Sequence, residues 1–247
     1  MRSKKDRDPF YPQKFSPSFC FFSGIFFRMC FWEDDCRPKT FGHRHFLYVS
    51  RKRKHKNMKI SLDIPWHRYA LIVELTRRCK GRCPQFGKTA LQKMMYLLQE
   101  VFHIDCGYDF EFCTCGPFSR QLFQDLDLVE HAGAITIQPA VSITDRYNIV
   151  PGGQADILIN KGADFLIRDE VKEAIKTLVE EFGYLYVKDL ELRSTIIFVQ
   201  REFQEQGKLL TVNEIVNIVG QIKPKFNDTQ IYSAVENLRS RNYLKLK

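Results

Sequence analysis

The sequence lacks the segments and motifs that mark membrane proteins and the common hydrolases. Its apolar stretch at residues 19–32, FCFFSGIFFRMCFW, is interrupted by Arg28 and is shorter than the roughly 20 residues that a membrane helix requires. No GxSxG or HExxH motif supplies a nucleophile or zinc ligands, and only three histidines follow Met58. We therefore expect a cytoplasmic protein that is not an enzyme, does not enter a membrane and uses no cofactor.

Positive charge is abundant, but it is concentrated in one segment. The net charge is +9, yet residues 1–57 hold 14 Lys and Arg against 5 Asp and Glu, whereas residues 58–247 hold 24 of each. The first segment has clustered Phe and Cys, the run RKRKHK at 51–56, and no helical or strand period. We predict that residues 1–57 lie outside the folded domains, as an extension upstream of a start at Met58. A basic tail for nucleic acid or an anionic membrane, and a targeting segment, are the alternatives.

Apolar residues at i, i+3 and i+4 predict a series of amphipathic helices after Met58. A capping box at Thr211 and Glu214 predicts a further helix through Val219, and Pro224 separates it from a last helix that Asp228 caps. The remaining predicted helices are Trp66–Cys79, Lys88–Phe102, Gly116–Ala132, Val171–Phe182 and Leu192–Phe203.

Shorter runs indicate strands between these helices. Extended segments are expected at Tyr108–Cys113, Ala134–Gln138 and Tyr243–Leu244, and a hairpin or wing over 139–168, with β-like runs VSI and ADILI. The predicted fold is α+β and mostly helical. A winged-helix-like domain with a β-hairpin wing occupies 58–167, and a helical domain, with helix-turn-helix as one alternative, occupies 168–247.

Two sequence patterns resemble binding sites for small ligands. Residues 81–89, GRCPQFGKT, approach a phosphate-binding loop, but five residues instead of four separate its glycines, and Pro84 lacks an N–H that the phosphate would need. We therefore read Lys88 and Thr89 as a helix start. Cys79-x₃-Cys83 and Cys113-x-Cys115 offer thiolates for zinc, yet neither pair has the two-residue spacing of a zinc knuckle, so we expect ordinary thiols.

DNA recognition requires basic and amide side chains on an exposed helix face. A solvated helix face would carry the same residues, and Asp125, Asp127 and Glu130 would repel phosphate along much of the third predicted helix. The predicted DNA contacts are Arg120, Gln121, Gln124, Lys223, Lys225, Gln230, Asn237, Arg239 and Arg241.

Three segments together resemble a known family: GKTALQKMMYLLQ at 87–99, GYDFEF at 107–112 and GPFSRQL at 116–122. They look like the YwgA-like family of bacterial and phage-associated predicted winged-helix regulators, and more distantly like the Panacea antitoxin domain. Residues 1–57 and Cys113-Thr-Cys115 depart from that pattern. The residues that carry the resemblance are Gly87, Lys88, Thr89, Leu91, Gln92, Lys93, Tyr96, Gly116 and Pro117.

The resemblance implies a mostly helical intracellular protein without established catalytic residues. As a regulator, it would dock the helix at 116–132 on DNA and use the following β-segment as a wing. As a Panacea-like protein, it would instead bind and neutralise a toxin protein. The sequence thus predicts a transcriptional regulator, with a protein-binding antitoxin or phage-defence adaptor as the alternative and a cryptic nucleotide-binding enzyme as the third. A homodimer is compatible with each, and the operator or partner stays open.

Overall fold

The computed structural model describes residues 64–139 and 147–247, together with two short antiparallel strands, β1 (Phe21–Phe22) and β2 (Ile25–Phe26). The predictions for the rest of residues 1–57 and for the VSI run at 141–143 lie outside the described residues. Elsewhere the fold is mostly helical, with two further antiparallel hairpins. The expected α+β class is confirmed at this level.

The first two helices, α1 (Trp66–Cys79) and α2 (Lys88–Glu100), bury most of their apolar side chains. Helix α1 matches its predicted bounds. Helix α2 ends two residues before the predicted Phe102, and the left-handed backbone of His103 (φ 56°) follows.

The segment Gly116–Phe118 forms a strand and does not begin a helix as predicted. It is β4, which pairs with β3 (Glu111–Cys113) so that Pro117 lies opposite Phe112. The reason is local: Gly116 has a φ of +89°, which a right-handed helix cannot use. Helix α3 (Arg120–His131) begins only after Ser119, whose hydroxyl accepts the Leu122 N–H.

A second hairpin follows α3, where a hairpin or wing was predicted. Strand β5 (Ile135–Pro139) pairs antiparallel with β6 (Tyr147–Pro151). The ADILI run, however, lies in helix α4 (Ala155–Lys161), followed by the short α5 (Ala163–Leu166). The prediction of a strand here was wrong. The buried residues of the run are Ala155 and Leu158, and a spacing of three residues places side chains on one face of a helix, not of a strand.

The remaining chain is helical. The capping box at Thr211 is confirmed, but the last helix is capped by Asn227, one residue before the predicted Asp228. The predicted strand at Tyr243–Leu244 is absent from the described C-terminal residues, where Lys247 makes one main-chain hydrogen bond to Leu210 (3.0 Å) in place of a ladder. These helices are α6 (Asp169–Phe182), α7 (Val187–Glu205), α8 (Val212–Ile222) and α9 (Asp228–Ser240).

One hydrophobic core runs through all of these helices except the short α5, whose partly buried side chains pack against it. Buried side chains from Leu71 in α1 to Leu244 near the end of the chain belong to a single cluster, and α2 packs against α7 within it. Buried residues on both sides of the predicted domain boundary at 167/168 belong to this cluster. This arrangement places the pair α8 and α9 at one side of α7, with their outer faces exposed.

Candidate functional site

The residues that carry the family resemblance tie α2 to the β3–β4 hairpin. The Gln92 amide donates to the Ser119 carbonyl and accepts from the Ser119 N–H, both at 2.9 Å. The Lys93 ammonium, 1% exposed, donates to the Pro117 carbonyl at 2.7 Å. Polar side chains that satisfy buried main-chain groups stabilise a fold and are not available to a ligand. These two motif residues are therefore structural.

The other motif residues also serve packing. A side chain at Gly87 would lie 2.7 Å from the Tyr147 carbonyl oxygen, so β6 approaches too closely for any larger residue. Lys88 forms an ion pair with Asp127 (3.7 Å), Leu91 and Tyr96 are buried, and Thr89 is half-buried. The Gly-Lys-Thr segment follows a loop from helix α1, and not the strand that a P-loop needs, so the nucleotide alternative has no support from the geometry.

A buried ion pair links this hairpin to the turn between α8 and α9. The Glu191 carboxylate of α7, 5% exposed, contacts the ammonium groups of Lys223 and Lys225, each at 2.7 Å. Lys223 also donates to the Thr114 carbonyl in the β3–β4 turn. Burial alone would raise the pKa of Glu191, but the two lysines lower it. Lys223, a predicted DNA contact, is thus held inside the protein.

The third helix holds a second buried carboxylate, Asp125. It forms an ion pair with Arg68 (2.9 Å) and accepts hydrogen bonds from Tyr108 (3.1 Å) and from Gln121 (2.9 Å). Burial, and then the Asp125 charge, raise the pKa of Tyr108 well above its ordinary value. Gln121, another predicted DNA contact, is therefore engaged with this network.

The remaining predicted DNA contacts lie on the surface, but most of the basic ones have acidic partners. Lys225 bonds Glu191, Arg239 lies 3.3 Å from Glu236, and Arg241 lies 2.8 Å from Glu181. Gln230 completes the cap of α9 through its bond with Asn227, Asn237 is half-buried, and Arg120 and Gln124 are exposed on α3. Three of the four basic side chains among them, those of Lys225, Arg239 and Arg241, therefore have their charge balanced by a carboxylate.

A groove with a volume of about 740 Å³ lies between α8 and α9. Amide and hydroxyl groups alternate there with apolar surface, and Asp228 is the one lining residue charged at neutral pH. On α8, Asn213, Asn217 and Gln221 recur every four residues and so share one helix face. The groove is completed by Val216, Gly220, Pro224, Phe226, Thr229 and Tyr232.

No protein-family model matches the chain, and no curated protein matches it. Among the helices that the structure describes, none is long and apolar enough to cross a bilayer.

Metal ligands do not assemble as the zinc alternative would require. Within residues 64–139 and 147–247, no group of three or more His, Cys, Asp or Glu side chains could hold a metal ion. Cys79 and Cys83 lie at the end of α1, whereas Cys113 and Cys115 belong to the β3–β4 hairpin. The four cysteines therefore do not form one tetrahedral site.

Sequence reasoning missed the groove and both buried carboxylates. The amide repeat at 213, 217 and 221 was a usable signal for the groove, because a four-residue period on a helix places side chains in one row. No such signal existed for Glu191 and Lys223, which are 32 residues apart.

Proposed function

We propose that this protein is a non-enzymatic binding protein whose α8–α9 groove holds a peptide segment of a protein partner, as an antitoxin or adaptor does. One observation carries the proposal: an amide row with a single negative charge lines the groove, while the neighbouring lysines and arginines are paired with carboxylates.

An amide row suits a peptide main chain. Each Asn or Gln side chain offers both a donor and an acceptor, which match the N–H and C=O groups of an extended or helical segment whatever its sequence. Gln221 donates to Asn217 at 3.1 Å, so two members of the row already contact each other. Exposed Tyr232 and buried Phe226 supply apolar surface, and Asp228 at the start of α9 favours a lysine or arginine in the partner.

Phosphate binding is less well served by this surface. A protein that binds DNA gains affinity by neutralising phosphates with unpaired Lys and Arg. Here Lys223 would have to leave a buried pair with Glu191, and Arg239 and Arg241 would have to exchange carboxylates for phosphates. Each such exchange reduces the affinity for DNA that the residue can contribute.

The test is partner capture with groove variants. The tagged full chain is expressed in its host, bound proteins are identified, and each is then purified and titrated against the parent and Asn217→Arg. Asn160→Arg on α4 is the matched control, because it places the same new charge on another exposed helical asparagine. We expect Asn217→Arg to weaken a true partner at least about tenfold and Asn160→Arg to leave it unchanged. Equal binding by both variants would remove the groove from the proposal.

The neighbouring open reading frame offers a second test. If its product is toxic alone, co-expression of the parent should restore growth, and co-expression of Asn217→Arg should not. Rescue by both would retain the antitoxin function and move its site away from α8 and α9.

A second candidate function is DNA recognition by a winged-helix-like module. It is favoured by the capped pair α8 and α9, joined by a short turn, and by the β5–β6 hairpin that could serve as a wing. A salt-sensitive mobility shift with genomic fragments, weakened by Arg239→Glu and not by Asn160→Asp, would establish it in place of the peptide partner.

A further inference from the structure

Three sulfur-containing side chains lie near the end of α1. The Cys79 thiol lies 3.8 Å from the Met94 thioether sulfur of α2. Cys83 follows one helical turn later, since its N–H donates to the Cys79 carbonyl at 3.0 Å, and residues four apart on such a turn have neighbouring side chains. Cys79 and Met94 are each 1% exposed, and Cys83 is half-buried.

We propose that Cys79, Cys83 and Met94 form a binding site for a soft monovalent cation, Cu(I) foremost. Thiolates and thioethers are the ligands that select Cu(I). Sulfur ligands at about 2.3 Å around a three-coordinate ion are about 4 Å apart, by trigonal geometry on the usual metal–sulfur length. The Cys79–Met94 separation of 3.8 Å already has this value.

Zinc fits these residues poorly. A structural zinc ion takes four N, S or O ligands, and the described residues bring no third His, Cys, Asp or Glu to the two cysteines. A thioether is a weak ligand for zinc but a good one for Cu(I), whose low coordination number three sulfurs satisfy. The site therefore favours Cu(I) over zinc, because its ligands are soft and because it supplies only three of them.

Binding must release protons from the thiols. The reaction is Cu⁺ + 2 RSH → [Cu(SR)₂]⁻ + 2 H⁺, in which Cys79 and the half-buried Cys83 supply the two thiolates and the Met94 thioether is a neutral third ligand. The negative complex is stabilised by the guanidinium of Arg82, the residue next to Cys83.

The experiment is a competition titration with Cu(I) alone. The reduced full chain, in a background with Cys20, Cys30 and Cys36 replaced by serine, is titrated without oxygen against bicinchoninate, a coloured Cu(I) chelator. Cys83→Ser and Met94→Leu test the site, and Cys115→Ser is the control, since it removes another half-buried thiol, from the β3–β4 hairpin. Thermal melting of each variant without copper verifies folding.

We expect one Cu(I) per chain, coordinated by three sulfurs at about 2.3 Å in X-ray absorption. Cys83→Ser should weaken binding at least about 100-fold, since loss of a ligand exceeds the loss of a second-shell group, and Met94→Leu at least about tenfold. Cys115→Ser should bind as the parent does. The proposal is overturned if the chelator takes all the copper from the parent, if Cys83→Ser and Met94→Leu bind as the parent does, or if zinc displaces Cu(I) from the parent.

Discussion

The motif region and the α8–α9 pair use polar side chains in opposite ways. Around α2 and the β3–β4 hairpin, Gln92 and Lys93 turn inward and satisfy main-chain groups of residues 117 and 119. Along α8, Asn213 and Asn217 are exposed beside an open groove. A recognisable sequence motif here supports the architecture, whereas the polar groups that the architecture leaves exposed are the ones available to a partner. Glu191 joins the two regions through Lys223.

Among the substitutions that test this comparison, removal of Glu191 should cause the largest loss of stability. Glu191→Ala leaves the Lys223 ammonium, which is 3% exposed, without its buried carboxylate. We expect the free energy of unfolding to fall by about 3–5 kcal/mol, the usual cost of breaking a buried pair from one side. Urea denaturation followed by circular dichroism measures it. The control Lys225→Ala, at a 50% exposed side chain, should cost less than about 1 kcal/mol. If Glu191→Ala and Lys225→Ala lost the same amount of stability, the Glu191–Lys223 pair would be exposed to solvent.

Acid should weaken the same pair. The pKa of Glu191 is lower in the folded protein than its ordinary value of 4.5, so the unfolded chain binds more protons between the two values. The stabilisation is therefore fully present above about pH 4.5 and is lost as the pH falls through the lowered pKa. We expect the parent to lose stability below pH 4.5 more steeply than Glu191→Gln, in denaturation curves measured across acidic pH. Parallel curves would contradict the role of this carboxylate.

Gln92→Ala tests the inward-facing region itself. The variant leaves the N–H of Ser119, a residue 1% exposed, without its partner, while the Ser119 carbonyl keeps the Phe123 N–H at 3.1 Å. Since a buried group left without a partner costs about 1–3 kcal/mol, we expect a loss of about 1–3 kcal/mol in chemical denaturation. Gln124→Ala, at an exposed site on α3, should change stability by less than about 0.5 kcal/mol. A small effect of Gln92→Ala would imply that the hairpin is held by its apolar contacts.

Thr211→Ala tests how strongly α8 depends on its own capping box. The Thr211 hydroxyl accepts the Glu214 N–H at 3.3 Å, and the Glu214 carboxylate accepts the Thr211 N–H at 2.8 Å. Loss of an N-cap hydroxyl costs about 1 kcal/mol. Thermal melting should reveal this decrease, while Thr229→Ala, an exposed threonine in α9, should melt as the parent does. If Thr211→Ala leaves the melting temperature unchanged, α8 is held by its packing on α7 and α9 and not by its cap.

The sequence predicted the helices well and the contacts between them poorly. The apolar period of residues 66–79 fixed the bounds of α1, because helix formation there needs only local spacing. The error at Gly116-Pro117 arose because proline suits a helix start and a hairpin edge equally, and the deciding φ of +89° depends on the β3–β4 turn. The pairing of basic residues with Glu191 and Glu181 could not be inferred, because those carboxylates are 32 or more residues from their partners. The pair of Glu236 with Arg239, three residues apart on one helix, does follow from helical spacing.

The smallest expected effect, that of Arg239→Ala, is also the one that separates the two candidate functions. Arg239 is 54% exposed and pairs with Glu236, which lies one turn away on α9. Such surface pairs contribute less than about 1 kcal/mol, so the denaturation midpoint should not move measurably. If the groove binds a peptide, binding of the partner should also be unchanged, because Arg239 does not line the groove. If α9 instead reads DNA, the same substitution should weaken a mobility shift and reduce its salt dependence by about one ion, since one phosphate contact is lost. An unchanged fold with a changed DNA shift would place function on the charged face of α9, and the amide row of α8 would then be an ordinary solvated surface.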